Sequence, residues 1–497
     1  MEPFDDSKYK ELMDGLECSE ITLRNLERTV RIDAEFYKKE NLNIVEKLKR
    51  TSFYPFTEFF TVSDGNHMSI SENFIQDGVP YYRGQDIYHV FIEEADPVCI
   101  DEKIYEHPQM QRSHLHARDV LMSIVGAIVG NSAIVSANKK ATCSCKLAIM
   151  RAKNNGILPE VLLVYIKTKY GQNQIQKFKR GTAQTGLLLE DFDQLYIPLF
   201  GDGFQQVILN VVNASKKSII TANKAYSDAE KMLLDSIGYY QEEKASVITV
   251  AKKSFLKSFA VTGRLDAEYY QPKYDEYLRK FDKFETTSIS EEYEVFKNSG
   301  TNYADGVSDI GVIKTKQIGN DGINTDGIES YFDYDACILN KSTFLKNGDV
   351  VFASMGIGSL GKAGLFVTDK SSRYVTDSTL RIYRAKSTCR VRPEVLCIFL
   401  KSKIGQELIY RYVVGSTGMI NIYDSDMEKI PIPILDDGTQ KEIASKVQKH
   451  YKLCKQSKQL VQYAKQTVEI AIEQGEDVAI KWLKDKVKQT YADREKI

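Results

Sequence analysis

From Gln205 onward, apolar or small residues fall at Ile208, Val212, Ser215, Ile219, Ala222, Tyr226, Ala229 and Leu233, in steps that alternate four and three. A second run from Gln440 keeps the same rhythm at Ile443, Val447, His450, Cys454, Ser457, Val461, Ala464 and Val468. A heptad stripe sustained this long predicts a helix that lays one seam against another helix. Neither run contains glycine or proline, and an Asp-Gly step precedes each. Both seams are rich in small and polar residues, which favours close and specific packing over raw stability. Elsewhere, short apolar runs such as "SAIVSA", "CKLAIM", "AGLFVT" and "TLRIYRA" predict strands. "PEVLLVYIKTKYGQNQIQKF", from Pro159, predicts one helix with proline in its first turn.

That last phrase returns. "PEVLLVYIKTKYGQ" at Pro159 is matched by "PEVLCIFLKSKIGQ" at Pro393, 234 residues later, with 8 of 14 positions identical. "RIDAEFY" at Arg31 returns as "RLDAEYY" at Arg264, and "YYRGQDI" at Tyr81 lines up with "VIKTKQI" at Val312. "ARDVLMSIVGAIVG" lines up with "NGDVVFASMGIGS", which sets Asp119 opposite Asp349 and Gly126 opposite Gly356. The offset stays between 230 and 235 throughout, the mark of a duplicated domain.

The expected fold is therefore α+β, with two tandem domains joined by two long helices. Because the helices belong to repeated units, an antiparallel coiled-coil pair related by a pseudo-two-fold axis is the natural arrangement. The segments expected are a helical stretch over 1–17 completing the coiled-coil region, domains over 18–202 and 239–436, spacer helices over 203–238 and 437–474, and a charged helical tail over 475–497. Trp482, the only tryptophan, reads as a packing anchor in that tail.

At 497 residues, 42% of them hydrophobic and 27% charged, the composition is that of a soluble globular protein. The longest apolar run, "VLMSIVGAIVG", is broken by glycines and too short to span a membrane. The acidic start "MEPFDDSKYK" does not resemble a signal peptide. Eight cysteines without a CxxC pair indicate a reduced, cytoplasmic protein, with Cys143 and Cys145 expected as a buried reduced pair on one strand face. The net charge of −1 hides an uneven distribution. Residues 101–180 hold 13 Lys plus Arg against 5 Asp plus Glu, and residues 331–420 hold 13 against 7. Two basic regions in matching parts of a neutral chain fit two polyanion-contacting faces, although ordinary solvated surface has the same signature.

Catalytic machinery is not evident. There is no nucleophile elbow, no HExxH, no EF-hand loop, no methyltransferase glycine loop and no [DN]PP[YFW] motif. "GIGSLGKA", from Gly356, follows the phosphate-loop pattern as far as Lys362, but Ala363 stands where a hydroxyl would ligate magnesium, and a strand is expected where a helix is required. His114 and His116 lack a third ligand nearby, so no metal site is expected.

The order of "RIDAEFY", "YYRGQDI", "DVLMSIVG" and "GTAQTGLLLEDFDQLYIPL", followed by a heptad helix beginning "QQ", resembles the specificity subunits of type I restriction–modification systems. The second copy, ending in "GSTGMINIYDSDMEKIPIPILDDGTQKEIASKV", resembles them even more closely, and the likeness spans roughly residues 8–474. It implies two target-recognition domains, each reading one half of a split sequence in double-stranded DNA. The helices would form a coiled coil that sets the gap and docks two adenine methyltransferase subunits. Those partners would carry S-adenosylmethionine, and separate motor-nuclease subunits would use ATP and magnesium to cleave unmodified DNA. The chain itself would bind no cofactor and catalyse nothing. A helix of about 33 residues spans about 50 Å, or roughly fourteen base pairs. The copies differ most over 45–110 and 275–345, which suggests two different half-sites. A DNA-binding scaffold of another defence or regulatory assembly would share these features without a modification role.

The residues expected at DNA lie in short basic and polar loops. In the first copy they are Arg83, Gln85, Lys139, Lys140, Lys177, Lys179, Arg180, Thr182 and Gln184. In the second they are Lys314, Lys316, Gln317, Lys362, Arg373, Arg411, Ser416 and Thr417. Asp33 and Asp266 of the repeated Arg-x-Asp motif read as buried carboxylates or caps tying each domain to the helices. Lys167, Lys169, Lys401 and Lys403 recur as a helix face held for packing or partner docking.

Overall fold

The computed structural model describes residues 5–17, 19–22, 26, 31–48, 52–153, 156–181, 185–239, 255–299, 310–339, 341–368, 373–415 and 419–492. The chain forms two compact units, Met1–Lys217 with Gln456–Ile497 and Ser218–Lys455. Each unit thus keeps part of both long helices, Asp202–Ser236 and Asp437–Gln474. The units part inside the helices because each stretch of helix packs with its own globular part.

In the first unit an antiparallel sheet runs in the order Phe60–Asp64, Leu147–Ala152, Val120–Ser123, Ser132–Ile134. In the second the order is Tyr293–Phe296, Leu380–Ala385, Val350–Ala353, Ala363–Leu365, again antiparallel. Each unit adds a parallel pair, Val79–Tyr82 with Thr142–Cys143 in one and Ile310–Ile313 with Tyr374–Thr376 in the other. Central strands are buried along their whole length (Val120 to Ser123, Val350 to Ala353), which explains their continuous apolar spelling. Cys143 is buried on its strand, but Cys145 falls in the following turn and is only half-buried, so the pair does not share a buried face.

The phrase beginning at Pro159 is two helices, not one: Pro159–Lys167 and Lys169–Phe178. Thr168 breaks the run in an extended conformation, and its hydroxyl accepts from the Gly171 N–H, capping the second helix. Ser402 does the same between Pro393–Lys401 and Lys403–Arg411. The glycine is required because a Cβ on Gly171 would lie 2.4 Å from the Tyr165 carbonyl oxygen, and one on Gly405 would lie 1.9 Å from that of Phe399. Val161 to Ile166 and Val395 to Leu400 are buried on all sides, so these first helices are the centres of their units.

On the long helices Ile208, Val212, Ile219, Ala222, Ala229, Leu233, Ile443, Val447, Cys454, Val461, Ala464 and Val468 are buried, and Tyr226 is half-buried. Within the first unit Ser215 meets Ser457, and within the second His450 meets Ala222. Gly475, at φ +94, ends the second long helix, and the tail helix Glu476–Ala492 follows. It packs Ala479 and Leu483 inside and sets Trp482 edge-on against Tyr463. The N-terminal helix Asp6–Met13 has no fully buried residue; Tyr9 and Met13 are half-buried.

Candidate nucleic-acid interface

Three loops meet at one end of the sheet in the first unit. The turn Gly84–Asp86 sits over the end of Val120–Ser123: a Cβ on Gly84 would lie 3.5 Å from Ser123 Oγ and 3.9 Å from Lys146 Cβ. The glycine loop beginning at Val125 is joined to the stretch after the second framing helix, since Gly126 N–H donates to Thr185 O at 2.8 Å. Arg180 and Gly186 exchange both backbone hydrogen bonds, at 3.0 and 2.9 Å, which closes the loop that holds Thr182 and Gln184. Thr182 and Gln184 themselves lie outside the described residues.

The second unit repeats the arrangement. The turn Thr315–Gln317 adjoins Asp377, whose N–H donates to Ile313 O at 3.1 Å. Gly356 N–H donates to Ile420 O, and Val414 and Asn421 exchange both backbone hydrogen bonds at 2.9 Å. Ser416 and Thr417, in the loop so closed, lie outside the described residues. The stretch from Gly356 runs through a turn into the strand Ala363–Leu365, where a phosphate loop would need a helix.

Several expected DNA contacts are engaged inside the protein instead. Lys177 is buried with its ammonium 4.2 Å from the centre of the Phe36 ring. Arg411 is buried among Tyr269, Tyr274 and Tyr412, with Asp275 3.4 Å away. Both are corrections: their positive charge is held over aromatic faces and stabilises the fold. Gln317 is also buried, its side-chain oxygen accepting from the Lys314 N–H at 3.0 Å. Arg83 pairs with Asp86 at 3.1 Å, Lys316 with Glu329 at 2.5 Å, Arg180 with the fully buried Asp191, and Lys140 with Glu102 and Glu106. Burial pushes the Asp191 carboxyl up despite the facing guanidinium, so desolvation outweighs the pair there. Glu102 and Glu106 push the Lys140 ammonium up.

What faces outward is a smaller set. Gln85, Lys139, Lys362 and Arg373 are exposed, Lys179 and Lys314 half-buried. Lys146, which the sequence pattern does not single out, is exposed directly beneath the Gly84 turn. Ile357 on the second glycine loop and Met419 beside Ile420 are 64% and 80% exposed. Apolar side chains offered from polar loops suit thymine methyl groups, a signal missed by looking only for basic and polar letters.

Beneath these loops the Arg-x-Asp motif does one job twice. Arg31 is held by Asp33 at 2.7 Å and donates to the Lys177 and Phe178 carbonyl oxygens at the end of a helix. Arg264, held by Asp266 at 2.7 Å, donates likewise to Tyr412 and Val413. The arginines cap the C-terminus of each second framing helix, where cations are favoured. Asp33 and Asp266 are partly exposed, not buried, and orient the arginine instead of tying the domain to a long helix. The side-chain hydrogen bond from each arginine holds its aspartate below the ordinary carboxylate range. Lys167 donates to Ser132 O at 2.6 Å, and burial pushes its ammonium down to about 8. Lys169 pairs with Glu473 at 2.5 Å, and Lys401 lies 4.7 Å from the Tyr226 ring centre. Lys403 is exposed.

Among the described residues no group of His, Cys, Asp and Glu is arranged to hold a metal ion, and no helix is long and apolar enough to cross a membrane. His114 is stacked on Tyr105 and bonded to its carbonyl oxygen.

The family model for the type I restriction modification DNA specificity domain matches residues 281–463. Comparison with curated proteins finds no match. Among solved structures, a type I restriction–modification S subunit from M. genitalium is similar at 12% identity over 85% of this chain and 95% of that one, with a TM-score of 0.38. The HsdS subunit from Thermoanaerobacter tengcongensis is similar at 12% identity over 85% and 96%, with a TM-score of 0.27. The matched residues take in the second recognition sheet, its glycine loop, both of its framing helices and most of the second long helix. Residues 281–463, somewhat over a third of the chain, thus match the type I restriction modification DNA specificity domain.

Proposed function

We propose that this chain reads a bipartite, asymmetric DNA site and holds the modification machinery upon it. The observation that carries this reading is the same loop cluster built at the same end of the same sheet in both units, with different side chains in each. Two such clusters in one chain suit two short DNA elements, and their different residues suit two different sequences. Lys139, Lys146, Lys362 and Arg373 supply phosphate contacts, while Gln85, Ile357 and Met419 meet base edges.

The long helices set the spacing. Paired antiparallel, as their matching heptad stripes favour, they fix the gap between the two DNA elements. Two adenine methyltransferase subunits dock on this chain and bring S-adenosylmethionine. Motor-nuclease subunits join with ATP and magnesium, and the assembly works in the cytoplasm. The test is selection of bound duplexes from a random pool by the purified full chain. Enrichment of two short elements at one fixed separation supports the reading; enrichment of a single element, or of none, refutes it.

A further inference from the structure

One layer of the helix seam differs between the units. In the first, the Ser215 and Ser457 hydroxyl oxygens lie 2.7 Å apart and each lies 3.1 Å from the other's carbonyl oxygen, so the two O–H groups have all their acceptors within the layer. The offset of 235 that carries Gln205 onto Gln440 carries Ser215 onto His450 and Ala222 onto Ser457. In the second unit the matching layer is therefore His450 with Ala222, and the hydroxyl pair is gone. His450 reaches further than a serine. Its Nδ1 lies 3.0 Å from Ala222 O and its Nε2 3.1 Å from Asn320 O.

Asn320 is at the tip of the hairpin that pairs Ile318 with Ile323 and follows directly on the turn Thr315–Gln317. The same hairpin rests on the neighbouring helix residue. Gly322 adopts φ +97, and a Cβ there would come within 3.0 Å of the Tyr451 ring. Lys401 Nζ also lies 3.4 Å from Asn320 O. The second recognition turn is thus fastened to the second long helix through one carbonyl oxygen, whereas the Ser215 hydroxyl is spent within the helix pair.

We infer that His450 is a positioning residue for DNA reading by the second unit, fixing the turn Thr315–Gln317 to the helix seam through Asn320. The inference rests on the DNA-reading function proposed above. It also carries a chemical signature. Carbonyl oxygens only accept, and a neutral imidazole has one N–H, so it satisfies one of the two; an imidazolium satisfies both. Lys401 opposes that protonation and Asp321 favours it; Tyr226, Tyr451 and Cys454 Sγ at 3.7 Å complete the surroundings. Burial pushes the ring below the ordinary histidine range, so the second bond is gained on the acid side of neutrality.

The test uses the full chain and the duplex it selects, with two further duplexes altered in one half or the other. Ala222→Ser/His450→Ser installs the first unit's hydroxyl layer, keeping the helices together while cutting the tie to Asn320. His450→Gln keeps one donor. The double variant is expected to lose discrimination about tenfold at one half-site and none at the other, the scale of one lost hydrogen bond. Wild-type discrimination at that half is expected to sharpen as pH falls from about 8 into the acid range, a dependence absent from both variants, with His450→Gln intermediate in discrimination itself. Equal weakening at both halves with a lowered melting temperature would show a purely structural role and overturn the inference, as would unchanged discrimination at both. If the wild-type chain prefers no sequence at all, the DNA-reading function itself fails and the inference falls with it.

Discussion

Arg151 grips both carboxylate oxygens of Asp119, at 2.8 and 2.7 Å. Arg384 grips those of Asp349 at 2.9 and 2.7 Å. Each aspartate is almost fully buried and also accepts a backbone N–H, from His116 in one unit and Lys346 in the other. Each arginine also reaches a loop carbonyl, of His114 and of Phe344. The pair clips the longest strand to the loop that enters the central strand, at the end of the sheet opposite the loop cluster.

Removing the acid should therefore hurt the fold more than a surface pair would. Asp119→Ala leaves Arg151 facing a buried gap, and because that arginine is partly exposed the cost is expected at about 2–3 kcal/mol, the lower part of the range for broken buried pairs. Denaturant unfolding of the full chain measures it. A loss under about 0.5 kcal/mol would place the pair with ordinary surface pairs.

The Arg-x-Asp caps predict a pH dependence. Arg31 and Arg264 hold Asp33 and Asp266 below their ordinary value of 3.8. A depressed carboxyl contributes stability above its unfolded value and loses it as pH falls through the folded one. Asp33→Asn and Asp266→Asn should thus melt below wild type at pH 7, and the gap should close as pH falls below 3.8 through the depressed value. A gap that persists unchanged in acid contradicts the cap.

Gly361 has φ +90, and a Cβ there would lie 2.6 Å from Gln406 Oε1. Gln406 Nε2 donates to Gly361 O at 2.8 Å, so the side chain cannot withdraw without losing that bond. Gly361→Ala should cost about 1–3 kcal/mol in thermal or denaturant unfolding. Gly358, at φ +69 with open space around its Cβ position, should cost less.

The outward-facing cations should be visible in salt titrations. Replacing Lys139, Lys146, Lys362 or Arg373 by Ala is expected to lower the slope of log affinity against log salt by about one for each phosphate that the side chain no longer neutralises. Lys177→Ala and Arg411→Ala should instead lower stability, since those charges sit on aromatic faces inside the protein. An unchanged slope for all four surface variants would move the DNA path elsewhere.

Much of the architecture was legible in the letters because period carries burial. The heptad rhythm picks out Ile208, Ala229, Leu233, Ile443 and Val447, all at or near zero exposure. The break at Thr168 was not legible, because a Lys-Thr-Lys sequence is compatible with helix and only the close approach of Gly171 to Tyr165 forbids it. Charge was the least readable signal. Lys169 finds Glu473 and Lys140 finds Glu102, partners distant in sequence, so a local excess of basic letters overstated the free positive surface. The paired backbone bonds of Arg180 with Gly186 and of Val414 with Asn421 fall in a phrase that is legible as repeated, while the exposed Ile357 and Met419 were not legible, since nothing in their neighbours marks them as outward.

The measurement that bears most directly on the central claim is a base-modification map of the host genome, by single-molecule sequencing, with and without this gene. The expected result is a split motif carrying methylated adenine in both halves, lost on deletion. An unchanged map, with an adenine methyltransferase partner expressed, would contradict the modification role and leave a DNA-binding scaffold in its place.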